Sequence, residues 1–143
     1  MKIEVICVGK LRNAGLEALC QDYERRVGRH LAMRQVEVNG DRGLRRAVDG
    51  SAWWVVALEV GGQALSSRQF ADVLAGWGEN RGGRICFLIG GAEGLPREVS
   101  DAADAKLSLS TMTLPHRLAR VLLCEQLYRA VSLWRGEPYA RED

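Results

Sequence analysis

The stretch RICFLIGGAEGLPREVSDAADA, Arg84 to Ala105, decides how the rest of the chain is read. Its first half is apolar on consecutive positions, so both faces of the extended run must be covered. It stops at Gly90-Gly91, carries one lone acid, Glu93, and restarts at Pro96. Pro96 suits the first position of a helix, where the missing N–H costs little. The segment therefore reads as buried strand, tight loop, helix. The glycines either serve the turn itself or let a ligand come close to the backbone.

Working outward, the same alternation repeats. Lys2 to Gly9 reads as a buried strand and Ala14 to Val27 as an amphipathic helix, with Leu16, Leu19, Cys20, Tyr23 and Val27 at helical spacing. Leu31 to Val38 is a second strand, Arg42 to Val48 a short helix, and Ala52 to Val60 a third, almost wholly apolar strand. The Gly61-Gly62 pair reads as a loop, and Ser66 or Ser67 caps a helix over Arg68 to Glu79. After the strand Arg84 to Gly90 come a helix Arg97 to Asp104, a strand Lys106 to Ser110, and a long helix from about Pro115 to Trp134. Buried strands alternating with helices predict an α/β fold, a mostly parallel sheet flanked by helices. No repeat or linker divides the sequence, so residues 1–143 are expected to form one domain.

The 143 residues suffice to bury a core, and their composition is that of a globular protein. A net charge of +2 permits an RNA partner without arguing for one. Cys7, Cys20, Cys86 and Cys124 form no CxxC pair and sit in or beside apolar segments, which predicts buried free thiols and a reducing, cytoplasmic setting. With only His30 and His116, no metal site is expected. The N-terminal apolar run is too short for a signal peptide, and no run has the length of a membrane span.

Ligands of open parallel sheets bind outside the carboxyl ends of the strands. Three loops qualify: Glu59 to Leu65, Gly90 to Leu95, and Thr111 to Pro115. GGAEG, Gly90 to Gly94, is only a weak dinucleotide match. In LSLSTMTLPHR, Leu107 to Arg117, hydroxyl and apolar side chains suit an adenine pocket, or else an ST-rich turn that caps a helix. His116 falls in the first turn of the last helix, where the helix dipole disfavours an imidazolium. That helix is apolar nearly all round, at Leu118, Val121, Leu122, Leu123, Leu127, Val131, Leu133 and Trp134; the surplus predicts a homodimer interface. Arg120, Glu125, Tyr128 and Arg129 stand out against it; Glu125 and Arg129 either pair at i, i+4 or serve a site.

VICVGKL, EVGGQALSS, FLIGGAEGL, LSLSTMTLPHRLARVLLCEQLYRA and the closing RGEPYAR together resemble the ribosomal RNA large subunit methyltransferase H (RlmH) family, a branch of the SPOUT methyltransferases. The resemblance runs end to end; Asn39 to Ser51 matches least. It implies a SPOUT-type α/β fold with a C-terminal trefoil knot, a homodimer, and S-adenosyl-L-methionine as methyl donor. It further implies methylation of N3 of a pseudouridine in helix 69 of 23S rRNA on the assembled ribosome. Position by position, it places the cofactor on Leu58, Gly90, Gly91, Leu109, Ser110, Thr111, Met112, Thr113 and Leu114, and the catalytic or substrate side on His116, Arg129 and Tyr139.

The family tail usually reads Tyr-His-basic, whereas this chain has Tyr139-Ala140-Arg141, so the general base is left unassigned. His116 is one candidate base, and Arg129 is read as stabilising developing negative charge. Arg25, Arg26, Arg29, Arg42, Arg45 and Arg46 are candidates for phosphate contact, or else solvated helix faces. The competing readings are a SPOUT methyltransferase for another RNA position, a non-catalytic ribosome-binding relative, and a nucleotide-binding oxidoreductase.

Overall fold

The computed structural model describes residues 1–50 and 52–142; Ser51 and Asp143 lie outside them. Five strands, β1 (Lys2–Val8), β2 (Ala32–Val38), β3 (Trp54–Ala64), β4 (Arg84–Ile89) and β5 (Ala105–Ser108), form one sheet in the order β2-β1-β4-β3-β5. Every pairing is parallel. Five helices cover it: α1 (Ala14–Val27), α2 (Gly40–Val48), α3 (Ser67–Trp77), α4 (Arg97–Ala102) and α5 (His116–Arg135). The expected α/β architecture is what the chain adopts.

β4 lies in the middle because its sequence can be buried on both faces. Alternate residues divide the two layers. Ile85, Phe87 and Ile89 join the core under α1, α3 and α5, with Val27, Leu74, Leu123 and Leu127. Cys86 and Leu88 join a smaller core with Leu44 of α2 and Val99 of α4. Phe87 meets Phe70 and Trp77 edge-on, at ring-centroid distances of 6.3 and 6.2 Å. Edge-to-face contacts of this kind contribute roughly 0.5–1.5 kcal/mol beyond burial.

Local chemistry sets the boundaries. Asn13 caps α1 by accepting from the Leu16 N–H at 3.0 Å. Ser66, rather than Ser67, caps α3 in a reciprocal box with Gln69. Such a cap is worth about 1 kcal/mol. Pro96 and Pro115 occupy the capping position of α4 and α5, one residue earlier than the first-position reading of Pro96.

β3 departs from expectation. It does not end at Val60 but continues through Gly61-Gly62 to Ala64, with a register shift against β5 between Leu58 and Gln63. Gly62 explains this: a Cβ there would lie 2.7 Å from the Lys106 carbonyl carbon and 2.8 Å from the Leu107 nitrogen. Only glycine lets β3 bulge and stay against β5.

The glycines after β4 divide their work. A Cβ on Gly90 would lie 2.4 Å from the Gly94 carbonyl carbon and 2.6 Å from the Leu95 nitrogen. Gly90 is thus required by the loop folding back on itself, a fold closed by a Gly94 N–H to Gly91 O bond of 3.0 Å. Gly94 alone in this loop has a left-handed φ, +81°. A Cβ on Gly91 would touch only Val8 Cγ1, at 3.4 Å. Gly90→Ala should therefore cost about 1–3 kcal/mol or more in urea unfolding, as overpacking does, while Gly91→Ala should stay within about 0.5 kcal/mol of wild type. Equal losses would contradict this division.

Candidate active site

Because every strand is parallel, the carboxyl ends of β3, β4 and β5 meet at one edge of the sheet, with the N-terminus of α5 beside them. A cavity of about 570 Å³ opens there, in the size range of small-molecule sites. Leu58, Ile89 and Leu107 line its inner wall, and Leu109, Leu114 and Leu95 extend the apolar lining. At the rim, Val60 and Met112 are 52% and 75% exposed.

Of the nine residues assigned to the cofactor, Leu58, Gly90, Gly91, Leu109, Ser110, Met112, Thr113 and Leu114 line this cavity. Thr111, exposed, is not among the lining residues. Two of the hydroxyls in this segment bond within the loop itself. Ser108 Oγ donates to the Ser110 carbonyl at 2.9 Å, and Ser110 Oγ accepts from the Met112 N–H at 2.9 Å. These bonds hold the loop in shape, so the ST-turn reading describes these hydroxyls.

Of the three residues placed on the catalytic side, His116 lines the cavity, at the start of α5. Arg129 and Tyr139 do not; they sit together nearer the C-terminal end of α5. Glu125 Oε1 accepts from Arg129 Nε at 2.9 Å and from the Tyr139 hydroxyl at 2.9 Å. The Arg129 guanidinium lies 5.1 Å from the Tyr139 ring centroid. Tyr139 Oη is also 3.2 Å from Tyr23 Oη; since Tyr139 donates to Glu125, the proton in that contact comes from Tyr23. Burial, then the bonds to Tyr23 and Glu125, push the Tyr139 phenol far up, so it stays neutral and is no base. The tail folds as a turn on α5, Pro138–Glu142, with Ala140 only 4% exposed.

A second polar network ties α5 to the sheet. Arg120, 8% exposed, donates to Gln35 Oε1 at 2.8 Å and to Glu37 Oε2 at 2.9 Å. Glu37 also accepts from the Leu11 N–H at 3.2 Å. Arg120 was visible in the sequence as a misfit on a greasy helix. Its partners, 83 and 85 positions away, were not. All four cysteines are buried free thiols. Burial raises Cys7 and Cys86 to about 12, so neither is a nucleophile.

Surface arginines are divided. Arg25 and Arg26 pair with Asp22, and Arg45 donates to Glu98 at 2.7 Å. Arg29, Arg42 and Arg46 are unpaired among the described residues. No described helix is long and apolar enough to cross a membrane. Leu118 and Leu122 of α5 and Leu19 of α1 remain exposed, the surplus anticipated on the last helix.

Residues 1–140 match the family model described as "Predicted SPOUT methyltransferase". The chain belongs to the SPOUT methyltransferase family. Within it, the chain is 46% identical to the ribosomal RNA large subunit methyltransferase H of Sorangium cellulosum (strain So ce56), over 98% of this chain and 99% of that protein. It is 42% identical to the protein of the same name from Dinoroseobacter shibae, over 99% of both. A solved structure of a probable methylase family protein from Haemophilus influenzae Rd KW20 superposes with a TM-score of 0.59 at 13% identity, covering 94% of this chain and 66% of that one. That likeness bears on the fold alone. This SPOUT protein is a methyltransferase.

The Arg120–Glu37 contact gives a test of how α5 is held. Burial alone would raise Glu37; the bond and charge of Arg120, with the Leu11 N–H, outweigh it and hold the carboxyl below the usual range. A depressed carboxyl stabilises the fold above its unfolded value, about 4.3, and that stability is lost as pH falls through the folded value. Glu37→Gln should lower stability at pH 7 and flatten the acid limb in urea titrations from pH 7 to 3. Parallel curves for variant and wild type would contradict this.

Proposed function

We propose that this SPOUT methyltransferase transfers the methyl group of S-adenosyl-L-methionine to N3 of a pseudouridine in helix 69 of 23S rRNA on the assembled ribosome. The observation that carries the reading is the cavity. Eight of the nine residues that the resemblance assigns to the cofactor, from three loops that strand order also singles out, line one hollow of about 570 Å³. The lining suits the donor: apolar side chains for the adenine face, backbone groups of Gly91, Leu109, Ser110 and residues 112–114 for its edge, and a single carboxylate among the described residues, Glu59, for positive charge.

The sulfonium supplies an already activated methyl group, so the protein's task is alignment and charge handling. His116, at the cavity wall, is positioned to take the N3 proton directly or through water. Arg129 is proposed to stabilise negative charge developing on the carbonyl oxygens beside N3, with Tyr139 fixing its plane. Neither residue lines the cavity of the single chain. Their use therefore goes with the proposed homodimer, whose interface the exposed Leu118 and Leu122 support. Arg29, Arg42 and Arg46 are the proposed phosphate contacts. The trefoil knot and a cytoplasmic setting belong to the same reading; four free thiols fit a reducing compartment.

Mass spectrometry of ribosomal RNA from a deletion strain, with and without the gene restored, tests the substrate. The N3 methyl should vanish and return; loss at another nucleotide would move the assignment. Arg129→Ala should lower turnover by about 100-fold or more while calorimetric affinity for S-adenosylmethionine stays near wild type. Lost cofactor binding would place Arg129 in the wrong role.

A further inference from the structure

We infer that Glu59 reads the amino-acid end of the methyl donor, by pairing its carboxylate with the donor's α-ammonium group. The inference rests on the cavity being the S-adenosylmethionine site. Among the described residues that line the cavity, Glu59 is the only carboxylate and His116 the only imidazole. The conspicuous charge beside His116 is spent on partners: Arg120 donates to Gln35 and Glu37. The Glu59 side chain has no hydrogen bond or ion pair among the described residues. A half-buried acid in the lining of a mainly apolar hollow, with no side-chain partner among the described residues, is costly unless a cation arrives with the ligand.

Its place along β3 says which cation. Leu58, one residue before, belongs with Ile89 and Leu107 to the inner wall, where an uncharged ring fits. Val60, one residue after, is 52% exposed at the rim. Glu59 thus stands where the lining turns from dry wall to wet edge, the station for a zwitterionic group that keeps part of its hydration. Transfer chemistry points the same way. A carboxylate against the sulfonium would bind the ground state better than a transition state already losing that charge, and so would slow transfer. The ammonium keeps its charge throughout the reaction. Pairing with it anchors the donor at no cost to the chemical step.

Calorimetry with three probes on the whole protein separates the possibilities. S-adenosylmethionine has both cations; S-adenosylhomocysteine keeps the ammonium and lacks the sulfonium charge; 5′-methylthioadenosine lacks the amino-acid end. Glu59→Gln should weaken the first two equally, by roughly 10- to 100-fold for a charged hydrogen bond, and leave the third unchanged. Glu59→Asp should recover part of the loss, and thermal melts of both free variants should fall no lower than wild type. Weakening of S-adenosylmethionine alone would assign the carboxylate to the sulfonium. Equal weakening of all three would assign it to the nucleoside. No weakening would leave it without a ligand role. Each of these overturns the inference while leaving the cavity assignment standing. Wild-type protein that binds none of the three would instead remove the cavity assignment, and this inference with it.

Discussion

Parallel pairing on both sides of β4 is the constraint from which the site follows. A parallel sheet sends every strand end to the same edge, and chain segments distant in sequence become neighbours there whatever their loops contain. β4 can take the central place only because Ile85 to Ile89 are apolar at every position, feeding one core with Ile85, Phe87 and Ile89 and the other with Cys86 and Leu88. Once β3 and β1 flank it, the β3, β4 and β5 loops have one place to meet. The cavity is a consequence of strand order, and its chemistry is what those loops carry.

Two glycines show how tightly the backbone is fitted around that edge. Gly62 lets β3 bulge past β5, and Gly90 lets the β4 loop turn back on Gly94 and Leu95. Both are demanded by the protein's own backbone. Gly91 also lines the cavity, but a Cβ there would meet Val8 at ordinary contact distance, so the fold does not require it to be small. On the helical side, α5 is fixed by two charged anchors at different heights: Arg120 on Glu37 near His116, and Glu125 with Arg129 and Tyr139 further along. The first holds the end of the helix that borders the cavity. The second gathers the tail onto the helix.

Much of this was legible in the residues because it depends on local periodicity. Consecutive apolar positions gave the strands, helical spacing gave α1 and α5, and strand ends gave the three loops. What depended on tertiary contact was not legible. Gly61-Gly62 reads locally as a turn and becomes a strand bulge, because β5 lies alongside. Ser110 reads either as a ligand hydroxyl or as part of an ST-rich turn, and only the fold shows it and Ser108 bracing their own loop. Nothing in the sequence of β2 marks Glu37, and only the fold brings Arg120 to it. Glu59 lay inside a recognised loop, marked by nothing except being an acid after an apolar strand; the sharper signal is that no side chain among the described residues pairs with it.

The account stands on the claim that the hollow between the ends of β3, β4 and β5 holds the methyl donor. A crystal structure of the protein grown with S-adenosylmethionine tests this most directly. The account predicts density for the nucleoside against Leu58, Ile89 and Leu107, beneath Met112. Fully occupied donor bound elsewhere on the chain, with this hollow filled only by water, would contradict it.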